Sequence, residues 1–134
     1  MRPLVVAAMQ IAPQPGDVGG TWKRFSDQVR GIRRTFPQVQ LVVAPELHLS
    51  AVDQLLDEQP GDPESSAAKI PGPVTEALGE LAVETGLWIC PGSVYEQAGG
   101  TVYNTAVVVA PSGELVAKYR KCFPWQPYET SAPG

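Results

Sequence analysis

Two short apolar runs joined by one helical stripe constrain this chain more than any other feature. Leu4-Val-Val-Ala-Ala-Met9 reads as a buried strand, closed by the turn-forming run Ala12-Pro-Gln-Pro-Gly-Asp17. Trp22, Phe25, Val29, Ile32 and Phe36 follow at spacings of 3, 4, 3 and 4, which predicts a single amphipathic helix with Lys, Arg and Asp on its other faces. Pro37 ends that helix. Val39 to Ala44 is a second apolar strand and delivers Pro45-Glu46 at its carboxyl end. A strand, helix and strand of these lengths make a βαβ unit, so the two strands are expected to be parallel.

The rest of the chain continues an α/β pattern. Residues 50 to 73 read as a loop, bracketed by Pro60-Gly-Asp-Pro63 and Pro71-Gly-Pro73, and a loop of that length is usually functional or poorly ordered. Val74, Leu78 and Leu81 mark a second helix, stopped by Gly86. Leu87 to Cys90 is a third strand, and Val102 to Ala110 and Glu114 to Cys122 are two more, joined by the tight turn Pro111-Ser-Gly113. Ser131 to Gly134 reads as an interrupted loop.

Composition removes several function classes. A net charge of -4 argues against a nucleic-acid or anionic-membrane partner. No apolar run approaches the ~18 residues of a membrane helix, and Gln10 cuts the first strand too short for a signal-peptide core. A cytoplasmic location is the expectation, with the two Cys as free thiols. With one His, His48, and no Cys-x-x-Cys, a zinc site is not expected. Gly16-Asp-Val-Gly19-Gly20 fits no phosphate-binding fingerprint and reads as a plain turn.

Three residues are candidates for chemistry. Glu46 sits at the carboxyl end of a strand, where open α/β sheets bind ligands, and its apolar neighbours Val43 and Leu47 are expected to desolvate it in part, which suits it to general-base work. On position alone a solvated strand-end Glu is the commoner meaning. Lys121 shares a strand face with Leu115, Ala117 and Tyr119, so its cation points into a cleft, while Lys118 and Arg120 face the other way. Taken alone, a Lys snorkelling to the rim is commoner. Glu129 follows the aromatic, Pro-rich run Phe123-Pro-Trp-Gln-Pro-Tyr128, which can hold a carboxylate near Lys121 or merely expose one on a surface loop. Cys122, adjacent to Lys121, faces the opposite side of an extended strand. Cys122 and Cys90, the latter between Ile89 and Pro91, both read as small buried hydrophobes.

Taken together these segments resemble the nitrilase superfamily of carbon–nitrogen hydrolases. The likeness runs in order through Ala7-Ala-Met-Gln-Ile-Ala-Pro13 with Gly16-Asp17, Leu41-Val-Val-Ala-Pro-Glu46, Pro91-Gly-Ser-Val-Tyr95, Tyr103-Asn-Thr-Ala106, Gly113 and Lys118-Tyr-Arg-Lys121. The resemblance implies an α/β fold of the αββα sandwich type, present only in part, with residues 1–134 forming the N-terminal portion of a single hydrolase domain. It also implies a Glu–Lys–Cys triad acting on an amide, carbamoyl or nitrile through an acyl-thioester, without a cofactor. Carried over by position, Glu46 is the general base and Lys121 the oxyanion stabiliser. The run ending in Glu129 resembles the amidase-like variants, in which a second Glu helps position the Lys and the substrate.

Two departures qualify the resemblance. Ala51-Val52 stand where many members carry Gly-Tyr, and neither Cys90 nor Cys122 matches the family's nucleophile, which is expected beyond Gly134. The chain is therefore expected to supply Glu and Lys only, to be inactive and poorly folded alone, and to belong to a longer, homo-oligomeric parent. The alternative is a non-catalytic half-domain that assembles with a partner chain. The substrate itself is not legible.

Overall fold

The computed structural model describes residues 3–51, 66–125 and 129–134. The first helix, α1 (Val18–Thr35), is capped by Asp17, whose carboxylate accepts from the Gly20 N–H at 2.7 Å, and Arg33 and Arg34 lie in its last turn. Phe25 and Val29 of the predicted stripe are fully buried, and Trp22 and Ile32 pack partly against the core. Phe36 is half-exposed instead: it lies just past the helix, where its N–H caps Ile32. The second helix, α2 (Pro73–Thr85), opens with Pro at its first position, where the missing N–H costs nothing. It ends at Gly86 with φ 65°, the left-handed cap its sequence predicts.

The strands are β1 (Val6–Ala8), β2 (Leu41–Val43), β3 (Trp88–Cys90), β4 (Ser93–Ala98), β5 (Thr101–Val109) and β6 (Leu115–Arg120). They form one mixed six-stranded sheet. β1, β2 and β3 are parallel, as the βαβ reading requires, with Ala7, Val42 and Ile89 in register. β5 runs antiparallel to β3 and β4 in succession along one edge, and to β6 along the other. Periodicity did not delimit β4, which the resemblance places among the middle strands. Four of its six residues are buried, so it lacks the alternation that reveals a half-buried strand. Of the predicted loop 50–73, residues 52–65 lie outside the described residues; a 3-10 turn occupies His48–Ser50.

The two faces of the sheet differ. Ala7, Val42, Ile89 and Val109 point toward the helices, and Val42, Ile89 and Val109 join Phe25, Val29, Leu78 and Leu81 in the core. Each such side chain contributes roughly 1.5–3 kcal/mol through burial. His48 is buried in this layer against Phe25, and burial lowers its pKa, so it packs as a neutral imidazole. The opposite face carries no second layer among the described residues. Val6 and Trp88, partners of Leu41 in the same row, are 46% and 41% exposed, and Tyr119 is 62% exposed. The described residues therefore form one sheet and one helix layer, half of the expected αββα arrangement.

Candidate active site

The open face acquires its polar groups where β2 ends. The Ala44 N–H still donates to Cys90 O at 2.9 Å, then the chain turns through Pro45 and Glu46 into Leu47, which has φ 54°. A left-handed Leu costs roughly 1–3 kcal/mol, so the surroundings must hold it. The Leu47 N–H donates to Ser93 Oγ at 3.1 Å, and the Tyr95 N–H donates to Ser50 Oγ at 3.3 Å. Gly92, at φ 86°, lies so close to the turn that a Cβ there would overlap the Pro45 carbonyl oxygen. The start of β4 therefore clamps the turn that aims Glu46.

Lys121 lies one residue past β6 and reaches the same place. Its N–H donates to Asn104 O at 2.8 Å, and its Nζ donates to Glu46 Oε1 at 3.0 Å and to Glu129 Oε1 at 2.6 Å. Asn104 Nδ2 also donates to Glu46 Oε1, at 2.7 Å. Glu129 is held a second time, by the Trp125 N–H at 3.1 Å. Burial alone would lower the Lys121 pKa, but the bonds from Glu129 and Glu46 outweigh it and leave the pKa raised, so the ammonium stays charged. Burial would raise the Glu129 pKa, and the Lys121 ammonium with the Trp125 N–H brings it below the ordinary range. The structure thus brings Glu46, Lys121 and Glu129 into one network across 83 residues of sequence, from 46 to 129.

The expected desolvation of Glu46 is absent here. Its side chain is 56% exposed, because the sheet face beside it is open. The reading of Cys90 as a buried hydrophobe also needs correction. Cys90 shares the Ala8–Val43 row on the open face, is half-buried, and lines a cavity of about 340 Å³ together with Glu46, Asn104, Ala106, Tyr119 and Lys121. Its thiol makes no hydrogen bond to Glu46 or Lys121 among the described residues. Cys122 is likewise half-buried rather than buried and does not line this cavity; its sulfur lies 3.4 Å from Tyr119 Oη and 3.8 Å from Arg120 O. Residues 126–128 of the aromatic run before Glu129 lie outside the described residues. The C-terminal segment is pinned rather than loose: the Ala132 N–H donates to Val102 O at 2.9 Å, and the Gly134 N–H donates to Lys121 O at 2.9 Å.

Sequence reasoning missed Asn104, Ser93 and Gly92 as site residues. Asn104 did leave a signal, as the amide that interrupts the apolar alternation of Ala106 and Val108 on one face of β5. It also missed Glu96, a carboxylate that is 1% exposed on the helix-side face. Glu96 accepts from Arg120, Lys118 and Thr105, and the Arg120 guanidinium above all holds its pKa down at about 2. This cluster faces away from the cavity. Among the described residues no three metal-ligating side chains converge, and no helix is long and apolar enough to cross a membrane.

Comparison with known proteins bears on the family and the fold. The carbon-nitrogen hydrolase family model matches residues 5–133. A formamidase from Bacillus thuringiensis (strain Al Hakam) is 28% identical over 94% of this chain, which spans 37% of that protein. A carbon-nitrogen hydrolase from Helicobacter pylori G27 superposes with a TM-score of 0.80 at 22% identity, over 98% of this chain and 45% of the other. The amidase of Nesterenkonia sp. AN1, from the nitrilase superfamily, has been solved after Michael addition of acrylamide at its active-site cysteine. That structure superposes with a TM-score of 0.76 at 19% identity, over 98% of this chain and 50% of its own. The chain therefore spans half or less of the length of these relatives, and its fold is the nitrilase-type α/β fold over that portion. By its sequence, its sheet order and the matched family model, this chain belongs to the carbon–nitrogen hydrolase family.

Proposed function

We propose that this chain carries the Glu–Lys portion of an amide-hydrolysing site, acting on small aliphatic amides of the formamide type through an acyl-thioester. The observation that carries the reading is the Lys121 ammonium seated between Glu46 and Glu129 at the edge of the cavity. A cation held at the cavity edge by two carboxylates is preorganised to meet the oxyanion of a tetrahedral intermediate. Glu46, whose Oε1 alone accepts hydrogen bonds among the described residues, is the base that takes a thiol proton and later returns it to the departing ammonia. Glu129 fixes Lys121 through the shorter of its two ionic contacts.

The nucleophilic thiol, on this reading, is contributed by polypeptide beyond these 134 residues. Two observations support that. Cys90 and Cys122 lack the hydrogen bond to Glu46 that an activated nucleophile needs, and the open face with Trp88 and Tyr119 exposes the apolar surface that further strands would cover. The exposed face equally suits the alternative in which those strands come from a partner chain. Solvent exclusion by that layer would supply the desolvation of Glu46 that the open face lacks.

The test is ammonia release from formamide and short aliphatic amides by the intact protein and its Glu46→Gln variant. The variant keeps the side-chain shape and cannot accept a proton. Activity in the parent and none in a cooperatively melting variant is the expected result. Full activity in the variant would remove Glu46 from the base role.

A further inference from the structure

We infer that Asn104 is a positioning residue that dictates which oxygen of Glu46 takes the proton. The inference rests on the reading of Glu46 as the general base. Asn104 is 2% exposed at the middle of the site and touches Glu46 and Lys121, two of its three charged members, while its amide also helps lower the pKa of the third, Glu129. Its Nδ2 donates to Glu46 Oε1 at 2.7 Å, and its backbone oxygen accepts the Lys121 N–H at 2.8 Å. β5 thus sets the base with a side chain and the cation with its backbone, from one residue.

The chemical consequence follows from counting lone pairs. Glu46 Oε1 accepts from Asn104 and from Lys121, which occupies both of its in-plane acceptor directions. Among the described residues no donor reaches Oε2. A proton arriving at this carboxylate therefore has one place to go. The S–H bond of the incoming thiol breaks, the proton bonds to Oε2, and the electron pair stays on sulfur as the thiolate. Oε1 keeps the Asn104 donor throughout. Collapse of the intermediate then takes the proton from Oε2 to the departing nitrogen. An amide suits this task because it does not titrate: a cation alone at Oε1 could follow the charge to the oxyanion and release the carboxylate to rotate. Asn104 holds it while Lys121 responds to the substrate.

The experiment measures ammonia release from formamide by the intact protein and by Glu46→Gln, Asn104→Ala and Asn104→Asp. Asn104→Ala removes the donor, and Asn104→Asp keeps the volume while placing an acceptor against Glu46. Both should lose tenfold or more in kcat with KM unchanged within twofold, because a misaimed base slows the chemical step without touching substrate binding. A structural role alone would lower melting temperature without that split. If Asn104→Ala fails to melt cooperatively, Asn104→Asp decides by the same criterion. A smaller kcat loss, or a loss confined to KM, with Glu46→Gln inactive, overturns the role of Asn104 and leaves the base in place. An active Glu46→Gln overturns both.

Discussion

Replacing Gly92 by Ala tests how the fold aims the site. Gly92 sits at φ 86°, so any side chain there pays the left-handed penalty of roughly 1–2 kcal/mol. The added Cβ would also overlap the Pro45 carbonyl oxygen and stand 3.0 Å from Ala44 O. Those are backbone atoms of the turn carrying Glu46 and cannot rotate away, so the overlap adds an overpacking cost of about 1–3 kcal/mol. The sum is about 2–5 kcal/mol. Gly99→Ala is the control, since Gly99 also has positive φ, at 58°, and nothing lies within 4 Å of its Cβ position. It should lose only the conformational part, about 1–2 kcal/mol. Denaturant unfolding of the intact protein reads both values from the midpoint and slope. Amide hydrolysis should separate the variants further. A displacement of Pro45 by about 1 Å misplaces Glu46, which costs on the order of 10²-fold in rate. Equal destabilisation of the two variants, with equal rates, would show that the close approach of β4 does not aim the base.

Other expectations concern the groups around that turn. Glu96→Gln should destabilise by about 2–4 kcal/mol, below the ~3–5 kcal/mol of a fully buried pair because Lys118 and Arg120 keep 37% and 33% exposure. Glu96 is held at about 2 against an ordinary 4.5, so its contribution is complete above pH 4.5 and is lost as pH falls toward 2. Chemical unfolding between pH 5 and 2 should show the parent losing stability more steeply than Glu96→Gln, and parallel curves would contradict this. Cys90→Ala and Cys122→Ser should each retain most amide hydrolysis. Loss of the acyl adduct in either, read by mass spectrometry, would make that thiol the nucleophile.

The sequence exposed the scaffold well where one periodicity dominated. The stripe of Phe25 and Val29, the Gly86 stop and the parallel β1 and β2 were all legible, because burial on one face leaves a pattern in residue type. Glu46 and Lys121 stood out as charged residues at the ends of apolar strands. Their contact was not legible from either segment alone, since pairing across 75 residues depends on the order β3-β5 and on the β5–β6 register. Cys90 was misread for a related reason. An apolar strand buried on both faces and one buried on a single face look alike when the open face also carries Trp88. Glu96 escaped because its two cations lie on another strand, two residues apart at Lys118 and Arg120.

The most direct test of the account is the turnover of Lys121→Ala in the intact protein with formamide. The variant removes the cation shared by Glu46 and Glu129 and should lose about 2.7–4 kcal/mol of transition-state stabilisation. Steady-state ammonia release should therefore fall by roughly 10²–10³-fold in kcat while the cooperative melt is retained. Turnover within a few-fold of the parent would contradict the account, because the cation that joins both carboxylates would then be dispensable to the chemistry.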